Sequence, residues 1–118
     1  TKPIRPEDKR LITNVDLIAL DQDELGQQAE LILEDQGIIY FMKDLANGDV
    51  AISATNLKDS EQTAHFDFTR FSALKPKARY RVRDCVEQRS LPAVQGSLST
   101  AVRPHATVVY RLSRLARR

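Results

Sequence analysis

Tryptophan is absent from this chain, cysteine and methionine occur once each, histidine twice and glycine four times. Each scarcity closes a class of explanation. Without Trp, and with Phe66, Phe68, Tyr80 and Tyr110 alternating into the expected core, there is no exposed aromatic platform of the kind that carbohydrate-binding modules offer. The single cysteine, Cys85, cannot form an intrachain disulfide, reads as a small packed strand residue, and says little about compartment. No apolar run reaches the roughly 20 residues needed to cross a bilayer. Net charge is only +2, so bulk electrostatics point to neither a nucleic-acid nor a membrane partner. No Asn-x-Ser/Thr sequon occurs. The opening TKPIRPEDKR has neither a signal-peptide core nor a Met, so Thr1 reads as the edge of an excised piece or of a larger protein.

What remains is ordinary globular material. The 118 residues are 42% hydrophobic and 29% charged, enough for one core and too few for two. Residues 1–10 carry Pro3 and Pro6 among charges and suit an extended lead-in. Leu11–Gly26 is the one helical stretch. Thr13, Asn14 and Asp16 provide capping oxygens, Leu11, Val15, Ile18, Ala19 and Leu20 form an apolar stripe, and Gly26 is the expected stop.

From Ala29 the period changes to two. Leu31 and Leu33 alternate with Ile32 and Glu34, Gln36-Gly37 marks a turn, and Ile38–Met42 reads as a buried strand. Asn47-Gly48-Asp49 is a hairpin turn, because Asn and Gly both accept positive φ. Val50, Ile52 and Ala54 then alternate with Ala51, Ser53 and Thr55. Ala64, Phe66 and Phe68 point one way, with His65, Asp67 and Thr69 pointing the other. Lys75-Pro76-Lys77 breaks the pattern before Arg79–Val86, and a short strand follows around Ser90-Leu91. Leu98–Val102 and Thr107–Leu112 form an expected closing hairpin around Arg103–Ala106. The fold class that follows is all-β: an antiparallel Greek-key β-sandwich of about seven or eight strands, preceded by one short α-helix.

Few side chains assemble into chemistry. Asp21, Asp23 and Glu24 lie close in sequence and Gly26 matches the glycine of a calcium loop. However, Leu25 and Ile32 occupy positions that must supply oxygen ligands. His65 and His105 lack a second ligand at zinc spacing. Neither Cys85 nor either histidine sits in a recognisable nucleophile motif. Arg79, Arg81 and Arg83 form a basic stripe whose alternation with Tyr80 and Val82 is that of a solvated strand face. No aromatic interleaves it to stack bases. No catalytic, cofactor-binding or metal-binding residue is therefore assigned, and no cofactor is expected.

The stretch LITNVDLIALDQDELGQQ closely resembles the domain junction of melibiase-type α-galactosidases. There a last barrel helix, reading like LLTNKEVIAINQDPLGKQG, leads into a C-terminal antiparallel β-sandwich. Leu11, Thr13, Asn14, Ile18, Ala19, Gln22, Asp23, Leu25 and Gly26 fit that pattern. LANGDVAISATN (Leu45–Asn56), YRVRD (Tyr80–Asp84) and GSLSTAVRPHATVVYRL (Gly96–Leu112) resemble three further family segments. Glu24 stands where Pro is usual, Val86 where Trp is common, and Ala106 where Gly follows Pro-His.

The resemblance implies an organisation. Residues 1–10 would be lead-in, 11–26 the terminal helix and linker of an upstream catalytic (β/α)8 barrel, 27–113 the C-terminal β-sandwich, and 114–118 a basic tail. It implies a retaining glycoside hydrolase acting on α-galactosides, in a secreted or periplasmic setting, whose two catalytic Asp residues belong to the barrel. The implied partners are that barrel and, as a further expectation, a homo-oligomer. The alternative is a stand-alone carbohydrate- or protein-binding module.

Overall fold

The computed structural model describes residues 14–23, 25 and 28–115. The expected lead-in over 1–10, Leu11 and Thr13 of the helix, Glu24, its stop Gly26 and the end of the basic tail lie outside the described residues. The helix α1 runs Val15–Asp21 with Asn14 as its N-cap. It ends with Gln22 as its C-cap, four residues before Gly26. Eight strands follow: β1 Glu30–Asp35, β2 Ile38–Asp44, β3 Val50–Asn56, β4 Gln62–Asp67, β5 Arg79–Asp84, β6 Arg89–Gln95, β7 Ser97–Val102 and β8 Thr107–Arg114.

They form two antiparallel sheets, a six-stranded one ordered β1-β2-β3-β8-β5-β6 and a two-stranded one, β4-β7. The expected all-β sandwich after one short α-helix is what the described residues adopt. The turns follow their chemistry. Gln36 and Gly37 have φ of 51° and 81°, and Asn47 and Gly48 have φ of 66° and 80°, so both tight links use residues that tolerate the left-handed region.

Three expectations need correction. Strand β7 pairs with β4, not with β8, while β8 lies between β3 and β5. The Arg103–Ala106 link therefore crosses between sheets, the return that makes a Greek key, rather than closing a hairpin. In β1, a bulge between Leu31 and Leu33 breaks the alternation. Ile32 and Leu33 both pack on the core as a result. Third, α1 packs Leu17 and Leu20 inward and leaves Val15 exposed.

The core lies between the sheets. Ile38, Tyr40 and Met42 of β2, Val50, Ile52 and Ala54 of β3, and Tyr110 and Leu112 of β8 meet Ala64, Phe66, Phe68 and Phe71. Phe66 sits edge-on to Tyr40 at 5.3 Å and to Tyr110 at 6.0 Å, and Phe68 meets Tyr80 at 5.8 Å. These T-shaped pairs add to area burial by matching positive ring edges to negative faces. The four aromatics expected to be structural are all buried. Asn56 is fully buried between the sheets and donates to the carbonyls of Ser60, Val102 and Arg103, tying the β3–β4 turn to the crossover. Both edges of the large sheet discourage further pairing, β1 by its bulge and charges and β6 by Pro92.

Candidate functional site: the α1 face of the large sheet

Helix α1 rests on the outer face of the six-stranded sheet. Seven residues cannot hold a helix by propensity alone, so its contacts must do so. Leu17 and Leu20, three apart and hence on one face, pack with Leu45, Ala51, Cys85 and Val109 in a second apolar cluster outside the main core. The stripe expected from periodicity is only partly buried: Leu20 packs on the sheet and Ile18 is half-buried, while Val15 is 67% exposed and Ala19 exposed. With Val15, Leu17, Ile18 and Leu20 placed almost all round so short a helix, spacing alone could not choose the buried face.

Polar contacts complete the attachment. Asn14 is only 3% exposed. Its Oδ1 accepts from the Leu17 N–H at 3.1 Å, and its Nδ2 donates to the carbonyls of Cys85 at 2.7 Å and Val86 at 3.3 Å. One side chain thus caps the helix and fastens it to the end of β5. Asn14 is among the capping residues expected from sequence, but nothing in the sequence marks its second role. Asp16 receives Nε and Nη2 of Arg83, each at 3.2 Å. At the other helix end, Lys43 Nζ donates to the Leu20 carbonyl at 2.6 Å, placing a cation at the negative end of the dipole. Asp23 Oδ2 accepts from the N–H of Ala46 at 2.7 Å and of Leu25 at 3.1 Å, so the link after the helix is held too.

The residues singled out from sequence now have positions. Asp23 serves as this backbone acceptor. Arg83 belongs to the ion pair with Asp16, while Arg79 and Arg81 are exposed on the same outward row. Arg111, on neighbouring β8, pairs with Asp49 at 2.8 Å. His65 shares a hydrogen bond with Ser99 at 2.6 Å and His105 pairs with Asp59 at 2.7 Å. Cys85 meets neither histidine. It is wholly buried beneath α1, where desolvation, followed by the charge of Asp16, pushes its thiol up to about 11. A thiol so held is neutral near pH 7 and a poor nucleophile. Among the described residues, no three His, Cys, Asp or Glu groups are arranged to hold a metal ion.

The same outer face carries apolar side chains that no described residue covers. Leu31, Phe41, Ser53 and Val109 form one cross-strand row. Leu31 is 59% exposed and Phe41 half-buried, and Leu25 in the link after α1 is 46% exposed. Val15, Leu25 and Leu31 are three of the four large exposed hydrophobics among the described residues. Apolar surface gathered on one side, rather than scattered, is the mark of a contact surface.

Comparison with known proteins identifies the domain type. The sequence profile of the α-galactosidase C-terminal β-sandwich domain matches residues 35–112. A probable α-galactosidase A of Aspergillus terreus is 34% identical over 110 residues, spanning 91% of this chain and 20% of that protein. The chain thus spans about a fifth of the length of that relative. The crystal structure of α-galactosidase I from Mortierella vinacea superposes with a TM-score of 0.84 at 22% identity, over 93% of this chain and 29% of that one. A β-L-arabinopyranosidase from Geobacillus stearothermophilus shares the fold at a TM-score of 0.83 and 16% identity, over 96% of this chain and 25% of that one.

Proposed function

The chain belongs to the α-galactosidase C-terminal β-sandwich domain family, and from that premise we propose that it is the non-catalytic flank of a retaining glycoside hydrolase acting on terminal α-galactosides. In this reading a catalytic (β/α)8 barrel sits on the α1 face of the large sheet, and α1 is the last element before the sandwich begins. The observation that carries the proposal is the outer face itself. Leu17 and Leu20 already pack on the sandwich, yet Val15, Leu25 and Leu31 stay exposed and Phe41 is only half-buried. A helix apolar on two sides needs two partners, and only one is found among the described residues.

The chemistry supports the division of labour. Retention requires two carboxyl groups about 5–5.5 Å apart on a rigid frame, and the barrel that would supply them takes about 250 residues. Three of the carboxylates near α1 serve as structural acceptors. Asp16 binds Arg83, Asp23 binds backbone N–H groups, and Asp49 binds Arg111. The sandwich therefore stabilises the barrel and leaves substrate choice to it, which suits a fold also found in a β-L-arabinopyranosidase. The test is an assay of the 118-residue chain on a chromogenic α-galactoside beside its longer parent. The parent should turn it over and the chain alone should not; turnover by the chain would overturn the proposal.

A further inference from the structure

A cavity of about 350 Å³ opens on the side of the sandwich away from α1, where β1 ends beside β4. Glu34 and Asp35 of β1, His65 and Asp67 of β4, and Arg70 of the turn after β4 supply its polar wall. Leu33, turned inward by the β1 bulge, and buried Phe71 supply its apolar lining. Two of the polar groups are held in place from behind. His65 Nδ1 bonds Ser99 Oγ at 2.6 Å, and Asp67 Oδ1 accepts from the N–H and hydroxyl of Thr69 at 3.0 and 2.7 Å. The bond from Thr69 is also the chief cause holding the Asp67 carboxyl below its ordinary range, so it stays an acceptor. His65 Nε2, Asp67 Oδ2, the Glu34 and Asp35 carboxylates and the Arg70 guanidinium make no hydrogen bond to other described residues.

We propose that this cavity is an accessory binding site for a neutral, polyhydroxylated ligand, a mono- or disaccharide. Elimination by charge carries the argument. An anion would meet three carboxylates. An organic cation would meet Arg70 and could accept nothing from it. Among the described residues, no three groups can hold a metal. A pair of neighbouring hydroxyls suits the wall, because each hydroxyl donates and accepts at once. One can donate to a carboxylate while its neighbour accepts from the guanidinium, and both bonds are charge-assisted. The volume lies within the range of small-ligand sites. Phe71 is only 1% exposed, so no ring stacks on the sugar and affinity is modest, with a Kd on the order of 1 mM. The site faces away from α1 and does not depend on the barrel-docking proposal.

The experiment is an amide NMR titration of the 118-residue chain with melibiose, maltose, putrescine and inorganic phosphate, each to about 100 mM, some hundredfold above the expected Kd. At least one sugar should give saturable shifts confined to residues 33–35 and 65–71, with putrescine and phosphate giving none there. Arg70→Ala and Glu34→Ala replace exposed side chains and should each weaken sugar binding at least tenfold while leaving the remaining spectrum unchanged. Absence of saturable shifts with both sugars, shifts centred elsewhere, tighter binding of putrescine or phosphate in the cavity, or unchanged sugar affinity in Arg70→Ala would each overturn the proposal.

Discussion

Replacing Asn14 with alanine should release α1 from the sheet while leaving the sandwich folded. The loss has two parts. Removing the N-cap oxygen that serves Leu17 costs about 1 kcal/mol. Removing the amide that serves Cys85 leaves a buried carbonyl unpaired, at about 1–3 kcal/mol. Together about 2–4 kcal/mol moves the docking equilibrium roughly 30- to 700-fold, since 1.4 kcal/mol is about tenfold. Cys85 reports this directly. It is the only cysteine, wholly buried under Leu17 and Leu20, so a thiol reagent reaches it only when α1 lifts. When closing outruns labelling, the rate follows the open population. Asn14→Ala should therefore speed Cys85 labelling by that factor, with little change in the far-ultraviolet strand signal. Asp16→Ala removes a half-exposed ion pair and should accelerate it by about fivefold at most. Equal labelling rates in the unsubstituted chain and Asn14→Ala would refute the assignment of Asn14 as the fastening residue.

Phe66→Ala opens the centre of the aromatic cluster and should cost about 3–5 kcal/mol, read as a lowered urea midpoint at unchanged slope; a loss below about 1 kcal/mol would contradict the packing described. Alkaline pH should loosen α1 through Cys85, whose thiol is raised from 9.0 to about 11 by burial. A folded value above the unfolded one gives stability that is complete below about pH 9 and lost as pH rises towards 11. The difference in urea midpoint between the unsubstituted chain and Cys85→Ala should narrow across that interval. A constant difference would contradict the reading.

Much of this architecture was legible because strand signals are local. The alternation of Val50, Ile52 and Ala54, the run Ile38–Met42, and the turn pairs Gln36-Gly37 and Asn47-Gly48 each specify their own geometry, and the structure follows them. Partner choice is not local. Nothing in Leu98–Val102 distinguishes pairing with Thr107–Leu112 from pairing with Gln62–Asp67, because both are antiparallel and similarly patterned. The bulge at Leu31–Leu33 was hidden for a related reason: a single inserted residue looks like continued apolar sequence until the partner strand is known. The α1 face shows the same limit. Its residues read as a helix, yet which side meets the sheet depends on Asn14 and Asp16 finding Cys85 and Arg83, about seventy positions away. The cavity draws on β1, β4 and the turn that follows, so no stretch of sequence contains it.

The central claim is that the α1 face is covered by a partner domain in the longer parent. Single cysteines placed at Val15 and Leu31, with Cys85 changed to alanine, test it by thiol labelling in the isolated chain and in the parent, with Thr63→Cys on the far sheet as the control. Both α1-face positions should label freely in the chain and at least tenfold more slowly in the parent, while position 63 stays equally reactive in both. Equal labelling of positions 15 and 31 in chain and parent would contradict the account.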